Sequence, residues 1–160
     1  MNKTQVAIMM GSQSDLPTMQ EAADVLKEFG VEYEIRVLSA HRTPKETAQY
    51  AESLKERGVK IVIAGAGGSA ALAGVVAAHT TLPVIGIPIE TTALNGMDSL
   101  LSTVQMPPGV PVATAAIGKP GAKNAGLLAL RILGLSDKRI EKRLEAYREE
   151  QRQKILKIKL

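Results

Sequence analysis

Gln5-Val6-Ala7-Ile8-Met9-Met10 runs directly into Gly11-Ser12-Gln13-Ser14-Asp15, and Lys60-Ile61-Val62-Ile63-Ala64-Gly65-Ala66 runs directly into Gly67-Gly68-Ser69. Each is a continuously apolar run of strand length that ends in glycine and small polar residues. Continuous apolarity is what a strand covered on both faces requires. Residues 83–88 read the same way, whereas residues 32–38 alternate, with Val31, Tyr33, Ile35 and Val37 apolar between Glu32, Glu34 and Arg36. Alternation points to an edge strand. A fifth strand is expected over 110–117.

Segments of helical period separate these runs, which is the pattern of an α/β domain with a parallel sheet. The first helix is expected over 16–29, with Leu16, Met19, Ala23 and Leu26 on one face and Gly30 as its stop. The second opens at Thr43 as N-cap, with Pro44 at the first helical position and Glu46 completing a capping box, and ends before Gly58. Further helices are expected over 70–78, 98–104 and 122–133. A terminal helix capped by Ser136 then runs almost to Leu160. With the alternating strand at an edge, the arrangement is that of a flavodoxin-like three-layer domain, a parallel five-stranded sheet of order 2-1-3-4-5, whose ligands bind beyond the carboxyl ends of the strands. Residues 1–160 are expected to form one domain, a core over 1–135 and an extended helix over 136–160.

Composition narrows the function. The 160 residues contain no Cys and only two His, His41 and His79, so neither a disulfide framework nor a thiolate or multi-histidine metal site is expected. No apolar run approaches the ~18 residues of a membrane span, and Met1-Asn2-Lys3-Thr4-Gln5 does not open a signal region. A cytoplasmic protein without a membrane partner is the expectation. The net charge of +4 suggests an acidic partner, but residues 137–160 hold nine Lys/Arg against five acids, which accounts for all of it. The remaining body is neutral, and with one Phe, three Tyr and no Trp there is no stacking platform for nucleic acid.

Three loops at predicted strand ends could carry chemistry. In the first, Gly11, Ser12, Ser14 and Asp15 combine a glycine turn, free amides and hydroxyls with one carboxylate. That set suits a sugar phosphate, the carboxylate accepting from a ribose hydroxyl, or else Ser14 or Asp15 merely caps the helix. In the second, Ser39 and Ala40 precede His41, a side chain able to take and return a proton near neutral pH, and Arg42, a bidentate partner for phosphate or carboxylate; the pair is equally compatible with an ordinary surface site. In the third, Gly65, Gly67 and Ala70 fit the loose G-x-G-x-x-G/A fingerprint with Glu90 twenty residues on, which admits a dinucleotide-dependent oxidoreductase. Against it, the glycines follow the third strand instead of the first. His79, near a helix end, is expected to meet terminal carbonyls.

Taken together, the chain resembles one family, the class I N5-carboxyaminoimidazole ribonucleotide mutases of purine biosynthesis. The resemblance rests on Met10-Gly11-Ser12-Gln13-Ser14-Asp15, Ser39-Ala40-His41-Arg42-Thr43-Pro44, Ala64-Gly65-Ala66-Gly67-Gly68, Asp98-Ser99-Leu100-Leu101-Ser102, Val104-Gln105-Met106-Pro107, Gly109-Val110-Pro111-Val112 and Ala122-Lys123-Asn124-Ala125. It spans nearly the whole chain in order. It implies an isomerisation without cofactor or metal, in which the carboxylate of an aminoimidazole ribonucleotide moves from the exocyclic nitrogen to ring carbon C4 by decarboxylation, retention of carbon dioxide and recarboxylation. By that resemblance His41 is the proton-transfer residue and Ser12, Asp15 and Arg42 bind the ribonucleotide. Gly11, Ser14, Ser39 and Ala40 are expected beside them, with Gly67, Gly68, Ser69 and Ala70 of the third loop. The family's homo-octamers and subunit-bridging terminal helices imply the same here, with no nucleic-acid partner. The nearest alternative is the related carboxylase that uses free carbon dioxide. One departure stands out. Where the family commonly has histidine followed by Leu-Pro-Gly, this chain reads Ala71-Leu72-Ala73-Gly74, which removes a polar ring and a stiffening proline.

Overall fold

A computed structural model describes residues 4–159. The first three residues of the amino-terminal stretch and Leu160, the end expected of the last helix, lie outside them. The chain alternates strand and helix: β1 (Val6–Met10), a 3₁₀ turn (Gln13–Asp15), α1 (Leu16–Glu28), β2 (Tyr33–Val37), α2 (Pro44–Ser53), β3 (Ile61–Gly67) and α3 (Leu72–His79) come first. Then follow β4 (Val84–Ile89), α4 (Met97–Val104), β5 (Ala113–Thr114), α5 (Gly118–Gly134) and α6 (Lys138–Leu156). The five strands form one sheet in the order β2-β1-β3-β4-β5, every neighbouring pair parallel, as the sequence implies.

The apolar runs work because successive strand residues face opposite ways. Val6, Ile8 and Met10 of β1 pack with Met19, Leu26 and Phe29 from the α1 side and with Ala125, Ala129 and Leu130 of α5. Ala7 and Met9 face the other layer, with Leu54, Leu72, Ala73 and Val76. A strand buried on both faces has no polar side to display, so alternation is lost from its sequence. Edge strand β2 keeps it, Tyr33 and Ile35 packing on the core while Val37, at its end, is exposed.

Several boundaries differ from expectation, each for a local reason. Strand β5 is only two residues long, since Gly109 sits at φ +98 and Pro111 has no amide to donate. Helix α5 begins at Gly118, ahead of residue 122, and α3 begins at Leu72, because Gly68 stands at φ +68 and the Ala70 and Ala71 amides donate to Gly68 O and Ser69 O in tight turns ahead of the helix. The Thr43–Glu46 capping box does not form; Thr43 makes no cap hydrogen bond and its hydroxyl turns to Ser39 instead. Asp137, not Ser136, caps α6 by accepting from the Arg139 amide. That interaction, with the Arg139 side chain as its larger component, holds the Asp137 carboxyl down to about 2.

The predicted stop of α1 is realised in full. The Gly30 amide donates to Lys27 O and the Val31 amide to Leu26 O, with Gly30 at φ +69, the two-bond closure of a helix C-terminus. Helix α6 docks across this end: Arg143 donates to Glu28 O at 2.6 Å and lies 5.1 Å over the Phe29 ring, and Phe29 meets Tyr147 edge-on with centroids 5.9 Å apart. Beyond Tyr147 every described residue of the helix and tail is exposed.

Candidate active site

Register places the site. Met10, the last residue of β1, stands opposite Val37, the last of β2, and Gly65 in β3, so the loops after these strands leave the sheet side by side. The Gly11 amide also donates to Gly65 O, tying the first loop to the third strand.

In the first loop Ser12 is extended and caps the 3₁₀ turn: its hydroxyl accepts from the Ser14 amide at 3.4 Å and its own amide donates to Asp15 Oδ2 at 3.1 Å. The Ser14 hydroxyl donates to Ser12 Oγ at 2.9 Å. Capping and ligand-facing roles are therefore not exclusive, because the same groups that close the turn border the cleft. Burial raises the Asp15 carboxyl above its ordinary range, opposed by the Ser12 amide, the Ser14 hydroxyl and the Arg42 charge.

The second loop is braced from below. The Ser39 amide donates to Thr43 Oγ1 at 2.9 Å, and the Thr43 hydroxyl returns a bond to Ser39 O at 3.1 Å. Fully buried Thr47, one helical turn on, donates to Thr43 O at 2.8 Å and reaches Ser39 O at 3.3 Å. Ser39 Oγ accepts from the amide and Nε of Arg42, whose Nη2 crosses to Gly11 O. On the flank of this loop, Tyr50 of α2 donates to Glu34 of β2 at 2.7 Å, and Arg57 donates to the same carboxylate while stacking 5.4 Å over the Tyr50 ring. Burial first, then the Glu34 carboxylate, pushes the Tyr50 phenol well above its usual range.

The third loop is held by α4, the helix expected over 98–104, to which the sequence assigned no supporting role. Ser99 of α4, fully buried, accepts the Gly68 amide at 2.8 Å and donates to Ile89 O at 2.6 Å. Gly67 sits against Thr91 and Ile89: a Cβ there would lie 3.1 Å from Thr91 Cγ2 and 3.3 Å from Ile89 O. A Cβ on Gly65 would strike the Met19 thioether. Close packing thus accounts for two of the fingerprint glycines, and exposed Glu90 is not part of the cleft wall. The dinucleotide constellation does not assemble.

The loops enclose a cleft of about 410 Å³. Gly11, Ser12, Ser14, Asp15, Ser39, Ala40, His41, Arg42, Gly67 and Ser69 border it; Gly68 and Ala70 do not, Ala70 being buried behind the wall. Ala66, Ala71 and Leu72 complete the lining; Ala71 stands where the family commonly has histidine, and none of the three was expected as a binding residue, since apolar side chains carry no chemical signal in a sequence. Thr43, Thr47, Ser99 and Ser102 were also missed as supports, although the Thr43/Thr47 spacing of four on a helix start was visible. Exposed His41 makes no hydrogen bond among the described residues, which leaves both ring nitrogens for a ligand. His79, in contrast, pairs with Glu52 at 3.0 Å on the surface and not with helix carbonyls. Among the described residues no group of three or more His, Asp or Glu could hold a metal ion, and no helix is long and apolar enough to cross a membrane.

The AIR carboxylase family model matches residues 5–154. The N5-carboxyaminoimidazole ribonucleotide mutase of Vibrio parahaemolyticus is 59% identical over 151 residues, 94% of each chain. That of Bacillus subtilis is 58% identical over 151 residues, 94% of this chain and 93% of the relative. The crystal structure of Treponema denticola PurE superposes with a TM-score of 0.85 at 36% identity, covering 95% of this chain and 94% of that one. With a glycine-serine loop, a histidine-arginine loop and a braced glycine loop meeting in one cleft, and with similarity running almost end to end, the chain belongs to the AIR carboxylase family.

Proposed function

We propose that the protein is an N5-carboxyaminoimidazole ribonucleotide mutase of purine biosynthesis, moving the carboxylate from the exocyclic nitrogen of the imidazole to C4. The observation that carries this reading is the convergence of Ser12, Asp15, His41 and Arg42 on one cleft at the carboxyl ends of β1–β3, in a chain whose mutase relatives are similar over 94% of its length. The phosphate is taken by the Ser12 and Ser14 hydroxyls and the Arg42 guanidinium, the amides of Gly11, Ser12, Ser14 and Asp15 being bonded within the protein, and the Asp15 carboxylate accepts from the ribose. Gly11, Ser39 and Ala40 shape that end.

The reaction is balanced without an added reactant. Loss of the N-carboxylate releases carbon dioxide and the nitrogen gains a proton; attack of C4 on the same carbon dioxide forms the new C–C bond, and C4 then gives up its proton. His41, the one histidine of the cleft, donates and receives these protons. The backbone of Gly67 and Ser69, with the small walls of Ala66 and Ala71, keeps the carbon dioxide beside the ring, Gly68 and Ala70 standing behind that wall. No cofactor and no metal enter this scheme.

The protein works in the cytoplasm, as one domain per chain, and assembles as a homo-octamer. Supporting assembly, α4 leaves Met97, Leu101 and Val104 about half exposed in a line, continued by Leu94, while Leu135 between α5 and α6, Ile155 and Leu156 at the end of α6 and Ile158 beyond it are open.

The decisive experiment supplies the N-carboxylated ribonucleotide in bicarbonate-free buffer and follows the C4 carboxylate. Rapid formation is expected. Formation only from the uncarboxylated ribonucleotide with added bicarbonate would replace the mutase reading by the carboxylase. Sedimentation of the purified protein tests the octamer.

A further inference from the structure

Only three polar side chains are buried among the described residues: Thr47, Ser99 and Thr103. Thr47 braces the histidine loop, and Thr103 donates to Ser99 O within its own helix. Ser99 is different because its hydroxyl is spent between two other segments, donating to the end of β4 and accepting from the Gly68 amide. A buried hydroxyl is tolerated only when its hydrogen bonds are made, so this side chain and the loop hold each other in place. One turn further, Ser102 donates to Asp98 O at 2.7 Å and reaches Gly68 O at 3.4 Å. The Gly68 amide is thereby held from the side of α4, while the Gly68 carbonyl accepts the Ala70 amide at 2.9 Å and lies within reach of the Ser102 hydroxyl.

The neighbours of this grip agree with it. Thr91 donates to both oxygens of Asp98, at 3.0 and 2.9 Å, and Asp98 Oδ1 accepts the Ser99 amide, so the start of α4 is anchored to the chain leaving β4. The helix that follows the glycine loop offers no comparable support, for Ala71 caps α3 without a side-chain bond. Gly68 stands in the left-handed region at φ +68, and the residues on either side of it, Gly67 and Ser69, border the cleft.

We propose that Ser99, assisted by Ser102, is a positioning residue of the cleft: α4 fixes the Gly68 peptide from behind and so sets where the Gly67 and Ser69 backbone meets the ligand. The effect on turnover rests on the mutase reading above; the effect on the loop does not. Neither Ser99 nor Ser102 borders the cleft. Their role is to spare the ligand the cost of ordering a glycine-rich strand-end loop.

The test compares Ser99→Ala with Thr103→Val, an equally buried hydroxyl on the same helix that does not reach the loop. Two readouts are taken on the intact protein: amide hydrogen exchange over residues 67–71, and steady-state kinetics with the N-carboxylated ribonucleotide. Ser99→Ala is expected to speed exchange in that segment at least ~10-fold, while Thr103→Val leaves it within ~2-fold of the parent even at equal loss of Tm. Ser99→Ala should also raise KM at least ~5-fold with kcat changed less than ~2-fold, the signature of lost uniform binding. Exchange that rises equally in both variants, or in neither, overturns the clamp. Faster exchange confined to Ser99→Ala with unchanged KM overturns the positioning role. If the parent does not turn over the substrate, the mutase reading fails, and exchange alone decides the clamp.

Discussion

Arg42 Nη2 donates to Gly11 O at 2.7 Å, joining two loops 31 residues apart in sequence across the mouth of the cleft. A guanidinium carries five donors, so this bond and the one to Ser39 Oγ leave others for an anionic ligand. Arg42 both shapes the site and charges it. Arg42→Met removes both functions on an exposed side chain, and a rise in KM of about 10-fold or more is expected with little change in Tm, since charge-assisted bonds exceed neutral ones in strength. Kinetics and calorimetry on the same sample check this; an unchanged KM would contradict a phosphate contact.

His41 is the only side chain in the cleft suited to shuttle protons near neutral pH. His41→Asn is expected to fold normally and bind ribonucleotide while kcat falls at least ~10²-fold. Near-normal turnover would remove His41 from the mechanism.

Ser12 serves both turn and ligand. Ser12→Ala deprives the Ser14 amide of its acceptor, which costs about 1 kcal/mol as at other N-caps. The loss of a ligand contact should raise KM more than it lowers kcat. A fall in stability with unchanged KM would restrict Ser12 to its capping role.

Asp15 carries the pH dependence. Its carboxyl is raised above 3.8, by burial first, so the folded chain holds that proton more tightly than the unfolded chain. Its contribution to stability is complete below the unfolded value and is lost as pH rises through the folded one. Asp15→Asn, uncharged throughout, should therefore gain stability relative to the parent between about pH 4 and pH 7, while losing ribonucleotide affinity. Urea midpoints at the two pH values measure the gain. A difference that is flat or shrinks with pH refutes it.

Gly86, in the middle of β4, is needed for space. A Cβ there would meet Thr103 Cγ2, with Val112 Cγ1 at 2.9 Å and Ala73 Cβ at 3.3 Å. Thr103 and Val112 are β-branched and stiff, so relief must come from the backbone. Gly86→Ala is expected to cost ~1–3 kcal/mol, read as a lower Tm and urea midpoint. Wild-type stability would show that α4 and the chain entering β5 yield to the added methyl.

The sheet order and the first-loop, histidine-loop and glycine-loop positions were legible because they depend on local pattern: apolar runs of strand length, an alternating edge, and small polar residues where strands end. The family could be read for the same reason, through short motifs kept in order along the chain. What stayed hidden was every bond between segments distant in sequence. Ser99 stands in a stretch that carries the family resemblance, but nothing in the sequence shows its hydroxyl buried between β4 and the glycine loop until β3, β4 and α4 are packed, and nothing in Thr43 says that its hydroxyl will leave the helix end for Ser39. The Gly65 and Gly67 fingerprint shows the converse, since a motif compatible with a dinucleotide owes its glycines to Met19, Thr91 and Ile89. Periodicity is a property of neighbours along the chain, and it determined which elements form and which ends carry loops. Burial and hydrogen-bond partnership belong to neighbours in space, and only the packed sheet and helices decided which of those loops are held rigid and by what.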